Sequence, residues 1–159
     1  MESVNRRAFL AALGACFITG PAFAAAVTAD QLRAAVTEMV DGAASTIERI
    51  GLMQATHFIA PETWIRPESG LYIFVFDSKG VLRLHPQENV IGAQIRGTLD
   101  AEGTPFIERI LADLSEGDGE VWTEYMWLDP TAGRTRKKRV FSRRVGALIV
   151  NCGYYLDAA

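Results

Sequence analysis

Histidine and cysteine are nearly absent. The 159 residues hold two of each: His57 and His85, Cys16 and Cys152. Two histidines far apart, with no cysteine near either, do not make metal-ligand spacing. A serine or cysteine nucleophile needs a base within reach. Neither a nucleophile elbow nor a phosphate-cradling glycine loop occurs. No catalytic constellation is present, and no metal and no cofactor is expected. An excess of positive charge is missing too. The formal net charge is −3, which argues against a nucleic-acid partner. Repeats and low-complexity tracts are absent, and one N-terminal stretch is the sole long apolar run. The full chain is 49% hydrophobic and 22% charged, a globular composition with length for one domain and a real core.

The N-terminal stretch, "VNRRAFLAALGACFITGPAFAAA", reads as a leader. It has paired arginines, an apolar segment from Ala8 to Gly20, and a small-x-small ending at Ala22-Phe23-Ala24. That order is the n-region, h-region and cleavage site of an exported precursor. Arg6-Arg7-x-Phe9-Leu10 resembles a twin-arginine signal, whose translocase carries folded cargo. The division expected is residues 1–24 as signal peptide and 25–159 as a single domain, exported to the periplasm. Leu13-Gly14-Ala15-Cys16 offers a second cleavage box, with Cys16 as a lipid anchor. Cleavage after Ala24 leaves Cys152 alone, so no internal disulfide is expected.

Thr28-Ala29-Asp30-Gln31 matches a helix capping box. Leu32, Val36, Met39, Val40, Ala43, Ile47 and Ile50 follow at helical spacing, which predicts one amphipathic helix over about 29–56. Pro61 and Pro67 fence a loop carrying Trp64 and Arg66. In "YIFVFDSKGVLRLHP" a β-rich run meets Asp77-Ser78-Lys79-Gly80, predicting a hairpin. Thr104-Pro105 predicts a second helix, with Thr104 as cap and Phe106, Ile107, Ile110, Leu111 and Leu114 facing a core. "EVWTEYMWL" alternates and puts Val121, Thr123, Tyr125 and Trp127 on one face. Two more strands pair around Gly146. Helix, two strands, helix, three strands with short turns predict an α+β fold on an antiparallel sheet.

Few residues stand out chemically. His57 reads as a capping or surface residue and Cys152 as a small core residue. His85, at a strand end, could be a turn residue, a catalytic base or a ligand contact. The run Arg134, Arg136, Lys137, Lys138, Arg139, Arg143 and Arg144 reads as an exposed hairpin facing Glu120, Glu124 and Asp129 across strands. One lysine turned inward for a carboxylate is the sharper alternative. Tyr125 and Trp127 read as core, or as an aromatic wall with polar tips.

"LYIFVFDSKGVLRLHP", "VIG", "GTPFIERIL", "GEVWTEYMWLDPTAG", "KKRVFSRRV" and "LIVNCGYYLD", in that order, resemble the single Cache domain over about residues 30–157. The resemblance implies an extracytoplasmic PAS-like sensor module: a long N-terminal helix packed on a central antiparallel sheet of about five strands. It implies a receptor for short organic acids such as acetate, propionate, pyruvate or lactate; the missing catalytic constellation argues against an enzyme. It assigns ligand binding to His85, Tyr125, Trp127 and Lys138, with His85 as donor at the pocket mouth. Lys137 is the alternative register. The family often has a tyrosine three places after the lysine, where this chain has Phe141. Most members continue into a membrane helix and an output domain. The chain is therefore expected to be a stand-alone periplasmic binder, or the accessory of a membrane-bound sensor or transporter. The alternative is a degenerate Cache domain, its pocket filled by its own side chains, with a structural or protein-interaction role. The loss of the tyrosine at Phe141 favours that alternative.

Overall fold

Thr28 opens the first helix with both halves of the capping box. Its hydroxyl accepts from the Gln31 N–H at 3.2 Å, and its own N–H donates to the Gln31 side chain at 2.8 Å. The computed structural model describes residues 27–58 and 63–156. The segment expected to be a leader, with Arg6, Arg7 and Cys16, lies outside them, as does Pro61. Helix α1 spans Ala29–Ile50 and buries Val36, Met39, Val40, Ala43, Ala44 and Ile47.

The single helix expected to run to about residue 56 is broken. Gly51 donates to Ile47 O at 2.8 Å, closing the last turn, and then takes φ +78°, a conformation that side-chain-bearing residues avoid. Its carbonyl accepts from Ala55 at 3.0 Å, which starts α2, Leu52–Phe58. Apolar spacing continues across the break, so periodicity alone does not reveal it. The segment expected as a loop contains a short hairpin: β1, Ile65–Arg66, pairs with β2, Leu71–Tyr72.

Strands β3, Phe74–Asp77, and β4, Leu82–Leu84, form the expected hairpin. Asp77 holds its turn by accepting from the N–H groups of Lys79 and Val81 at 2.9 and 3.0 Å. Helix α3, Phe106–Glu116, starts one residue later than a Thr104 cap would place it, and no side chain caps it. Asp100 organises the lead-in instead. Its carboxylate accepts from Glu102, Thr104 and Met126 N–H groups at 2.8–2.9 Å. Strands β5, Glu120–Asp129, β6, Arg134–Val145, and β7, Leu148–Tyr155, complete an antiparallel sheet of order β4-β3-β7-β6-β5.

Alternation along the strands sorts side chains to two faces. Ile73, Val75, Phe141, Val150, Cys152 and Tyr154 pack with α1. Phe74, Phe76, Tyr125, Trp127, Val140 and Ile149 pack with α3. The basic run pairs with the acidic strand as its charges suggest. Glu124 lies opposite Arg139 and Glu120 opposite Arg143, and Arg136 bonds Asp129 at 2.6 Å.

Candidate functional site

Lys138 lies on β6 between Tyr125 of β5 and Tyr155 of β7. All three share the α3 face. A cavity of about 50 Å³ opens above them. His85, Tyr125, Trp127 and Lys138 all line it, so the fold brings the four expected residues together. Tyr72, Phe74, Leu82, Ile95, Phe106 and Ile107 complete most of the wall.

Lys138 is 2% exposed. Its Nζ donates to the Tyr72 hydroxyl at 3.1 Å. The rings of Tyr72, Tyr155 and Phe74 lie 4.7, 5.4 and 5.8 Å from it, within cation–π range. No carboxylate among the described residues lies within ion-pair distance of it. Lys137 points the other way and reaches Glu124 at 3.6 Å with its side chain half exposed. The register therefore turns Lys138, not Lys137, toward the cavity.

His85 is half-buried where β4 ends. Its Nδ1 accepts from the Gln87 N–H at 3.1 Å, which places the proton of the neutral ring on Nε2. Burial, and then the charge of Lys138, lowers its pKa from 6.5 to about 4. The ring stands edge-on to Tyr72 at 5.4 Å. It is a neutral donor near neutral pH.

Tyr125 stacks on Phe106 at 4.0 Å. Its hydroxyl is held well above the ordinary tyrosine range by burial and then by the neighbouring Tyr72 and Tyr155, so it stays protonated. Trp127 meets the same Phe106 edge-on at 5.3 Å. The cavity thus has a polar end of ammonium, imidazole and hydroxyls, and an apolar end of Phe106, Trp127, Leu82, Ile95 and Ile107.

Tyr72, Tyr155 and Phe106 were not singled out from the sequence. The signal for Tyr155 is pairing arithmetic: residues equidistant from the Gly146-Ala147 turn face each other, which sets Tyr155 against Lys138. Gly153, one place along the same face from Tyr155, gives a second signal. A Cβ there would stand 2.5 Å from Val140 Cγ2 and 2.6 Å from Arg139 O, so the strands approach too closely for a side chain. Phe141 stacks on Trp122 at 5.0 Å on the α1 face. Three places along a strand reverses the face, so a hydroxyl there would not reach this cavity. The remaining candidates for chemistry are remote. Cys152 is buried on the α1 face with its thiol pushed up to about 11 by burial. His57 is exposed on α2. No cluster of metal-ligating side chains occurs among the described residues.

A family model described as Single Cache domain 2 matches residues 52–158. No curated protein matches the chain. Among solved structures, the periplasmic sensor domain of a chemotaxis protein is 21% identical with a TM-score of 0.64, covering 84% of this chain and 100% of that one. A methyl-accepting chemotaxis protein from Vibrio parahaemolyticus RIMD 2210633 is 20% identical, TM-score 0.64, over 80% and 90%. A third, a Cache chemosensory domain described for the structural basis of its carboxylic acid recognition, is 21% identical, TM-score 0.60, over 82% and 99%. At this identity the likeness is one of fold: a long helix on a five-stranded antiparallel sheet.

Proposed function

The chain belongs to the Single Cache domain 2 family, and on that premise we propose that it is a periplasmic sensor module whose cavity binds a short monocarboxylate. One observation carries the reading. Lys138 is a buried ammonium facing a cavity, with no anion among the described residues to offset it. Stripping an ion of water costs several kcal/mol, and the loss is recovered when a counter-ion docks with good geometry. A carboxylate at the polar end would take charge-assisted bonds from Lys138 and neutral bonds from His85 Nε2–H and the Tyr125 hydroxyl. Trp127 and the apolar end would take the alkyl part and exclude water.

Size narrows the class. At about 10–15 Å³ per water, a cavity of about 50 Å³ holds roughly three to five waters. An acid of about four to six non-hydrogen atoms fits that space. The solved Cache chemosensory domain described for its carboxylic acid recognition supports the ligand class by analogy of fold. A binder rather than an enzyme is favoured, because donors converge here without a nucleophile. Export by the leader and delivery to a membrane-bound sensor or transporter belong to the same proposal.

A thermal-shift screen of two- to four-carbon acids should find ligands that raise the melting temperature, since they bind the folded state alone. Calorimetric titration then decides the residues. Lys138→Ala should weaken binding by about 2–5 kcal/mol, tens- to thousands-fold. Lys137→Ala should leave it unchanged, and Tyr125→Phe should cost about 0.5–1.5 kcal/mol. If no acid stabilises the protein, or Lys138→Ala binds as tightly as wild type, the carboxylate reading fails and the filled-pocket structural role replaces it.

A further inference from the structure

Strand β5 is one edge of the sheet, and three hydrogen bonds fix which of its residues face outward. At one end Arg144 N–H donates to Gly119 O at 2.8 Å, so Gly119 faces β6. At the other, Met126 faces away: its N–H donates to Asp100 and its carbonyl accepts from Ala101 at 3.1 Å. Antiparallel residues alternate in this respect. Glu120, Trp122 and Glu124 therefore point their backbone groups outward. The Glu120 N–H is taken by Asp118 at 3.3 Å. The carbonyl of Glu120 and both backbone groups of Trp122 and Glu124 have no hydrogen-bond partner among the described residues.

The open edge lies in a groove of about 360 Å³ lined by Arg33, Arg109, Trp122, Glu124 and Arg139. Arg139 is committed to Glu124 at 2.7 Å. Arg33 comes from α1 and lies 5.0 Å over the Trp122 ring. Arg109 comes from α3, on the opposite face of the sheet. Neither Arg33 nor Arg109 has a carboxylate within ion-pair distance among the described residues. Three guanidiniums thus line a groove at the unpaired strand edge that holds one carboxylate, Glu124, while Glu120 further along the edge is paired with Arg143.

We propose that the β5 edge docks an extended acidic segment of a partner protein, which adds a strand to the sheet. Backbone bonds to Trp122 and Glu124 hold it in register. Successive side chains of an extended segment point to alternate faces, so neighbouring acidic residues meet Arg33 on one face and Arg109 on the other. A second copy of this chain fits less well. Two-fold pairing about Trp122 would set Glu120 against Glu124 and Arg33 against Arg33, like charges directly opposed. The surface is distinct from the cavity, and its occupation is independent of any carboxylate there.

The test uses a fluorescein-labelled octapeptide of Asp, Glu and Val, with a Lys/Val octapeptide as control, read by anisotropy and amide exchange. The acidic peptide should bind, weaken about tenfold or more at high salt, and slow exchange at the Trp122 and Glu124 amides. Charge reversal, Arg33→Glu with Arg109→Glu, should reduce binding by a similar factor. Glu124→Pro should abolish it, because that N–H faces outward and the β5–β6 ladder does not use it. The proposal is overturned if the acidic peptide does not bind, if it binds the charge-reversed protein equally well, or if the basic peptide binds as tightly. A concentration-dependent dimer disrupted by Glu124→Pro would assign the edge to a second copy and overturn the acidic partner.

Discussion

Lys138 is held by one tyrosine hydroxyl and the faces of three rings. Cation–π contacts contribute about 0.5–2 kcal/mol each, against a desolvation penalty of several kcal/mol. On the proposed function, stability and binding therefore oppose each other at this residue. Lys138→Met keeps the length and removes the charge. The ligand-free variant should be as stable as wild type, or more stable by about 1–3 kcal/mol, in urea unfolding. The same variant should lose acid binding. A variant that loses stability and binding together would identify Lys138 as a structural strut. His85 supplies a second residue-scale test. Burial and then Lys138 lower its pKa to about 4, while the unfolded chain takes up that proton near 6.5. The unfolded state binds more protons between those values. The contribution is thus full above about pH 6.5 and is lost as pH falls toward 4, up to about 3 kcal/mol. Asp77 and Asp100, whose burial is outweighed by hydrogen bonds that lower their pKa values, titrate below this window. His85→Gln should flatten the slope between pH 4 and 6.5. An unchanged slope would show that the imidazole is not held neutral.

Elements differ in how much of them the sequence discloses, and the reason is the range of the determining interaction. The capping box and the stripe from Val36 to Ile47 are local, and both stand as read. The break at Gly51 was missed because the apolar period survives it, while the backbone turns on one glycine. The β1–β2 hairpin was missed because two residues a side are too few to show alternation. Tyr125 and Trp127 were legible as one face of a long strand, but which of Lys137 and Lys138 faces inward turns on a one-residue register. The Gly146 turn sets it, and Ile95 and Thr98 reach the cavity from loops that carry no periodic signal. Register also governs the element-scale prediction. Gly153 crosses Val140, where a Cβ would stand 2.6 Å from a backbone carbonyl that cannot swing aside. Gly153→Ala should destabilise by about 1–3 kcal/mol, measured as a lower denaturation midpoint. A neutral result would mean that β6 and β7 separate at no cost, and that the cavity floor is softer than the packing implies.

At the scale of the whole molecule, the sheet closes late. β3, Phe74–Asp77, pairs with β7 at residues 148–151, so the central strands meet only after β5 and β6 have been made. Such long-range pairing is slow relative to local structure. The single described cysteine is buried and unpaired, so no oxidation is needed to complete the fold. A domain of this kind gains nothing from crossing a membrane unfolded. That accords with the proposed leader, in which Arg6-Arg7-x-Phe9-Leu10 resembles a signal for folded cargo. The expected outcome is specific to that route. With Arg6→Lys and Arg7→Lys together, the precursor should accumulate in the cytoplasm as a folded protein. There it should still show the acid-induced rise in melting temperature, because on this reading the cavity forms before export. The mature wild-type protein, recovered from the periplasm, should begin near Ala25 by mass spectrometry. Normal export of the double-lysine precursor would remove the twin-arginine reading while leaving export intact. A lipid-modified Cys16 would move the cleavage site and tether the sensor to the membrane. A cytoplasmic precursor that is unfolded and degraded would show that the domain depends on its destination to fold, and would remove the folded-cargo reading.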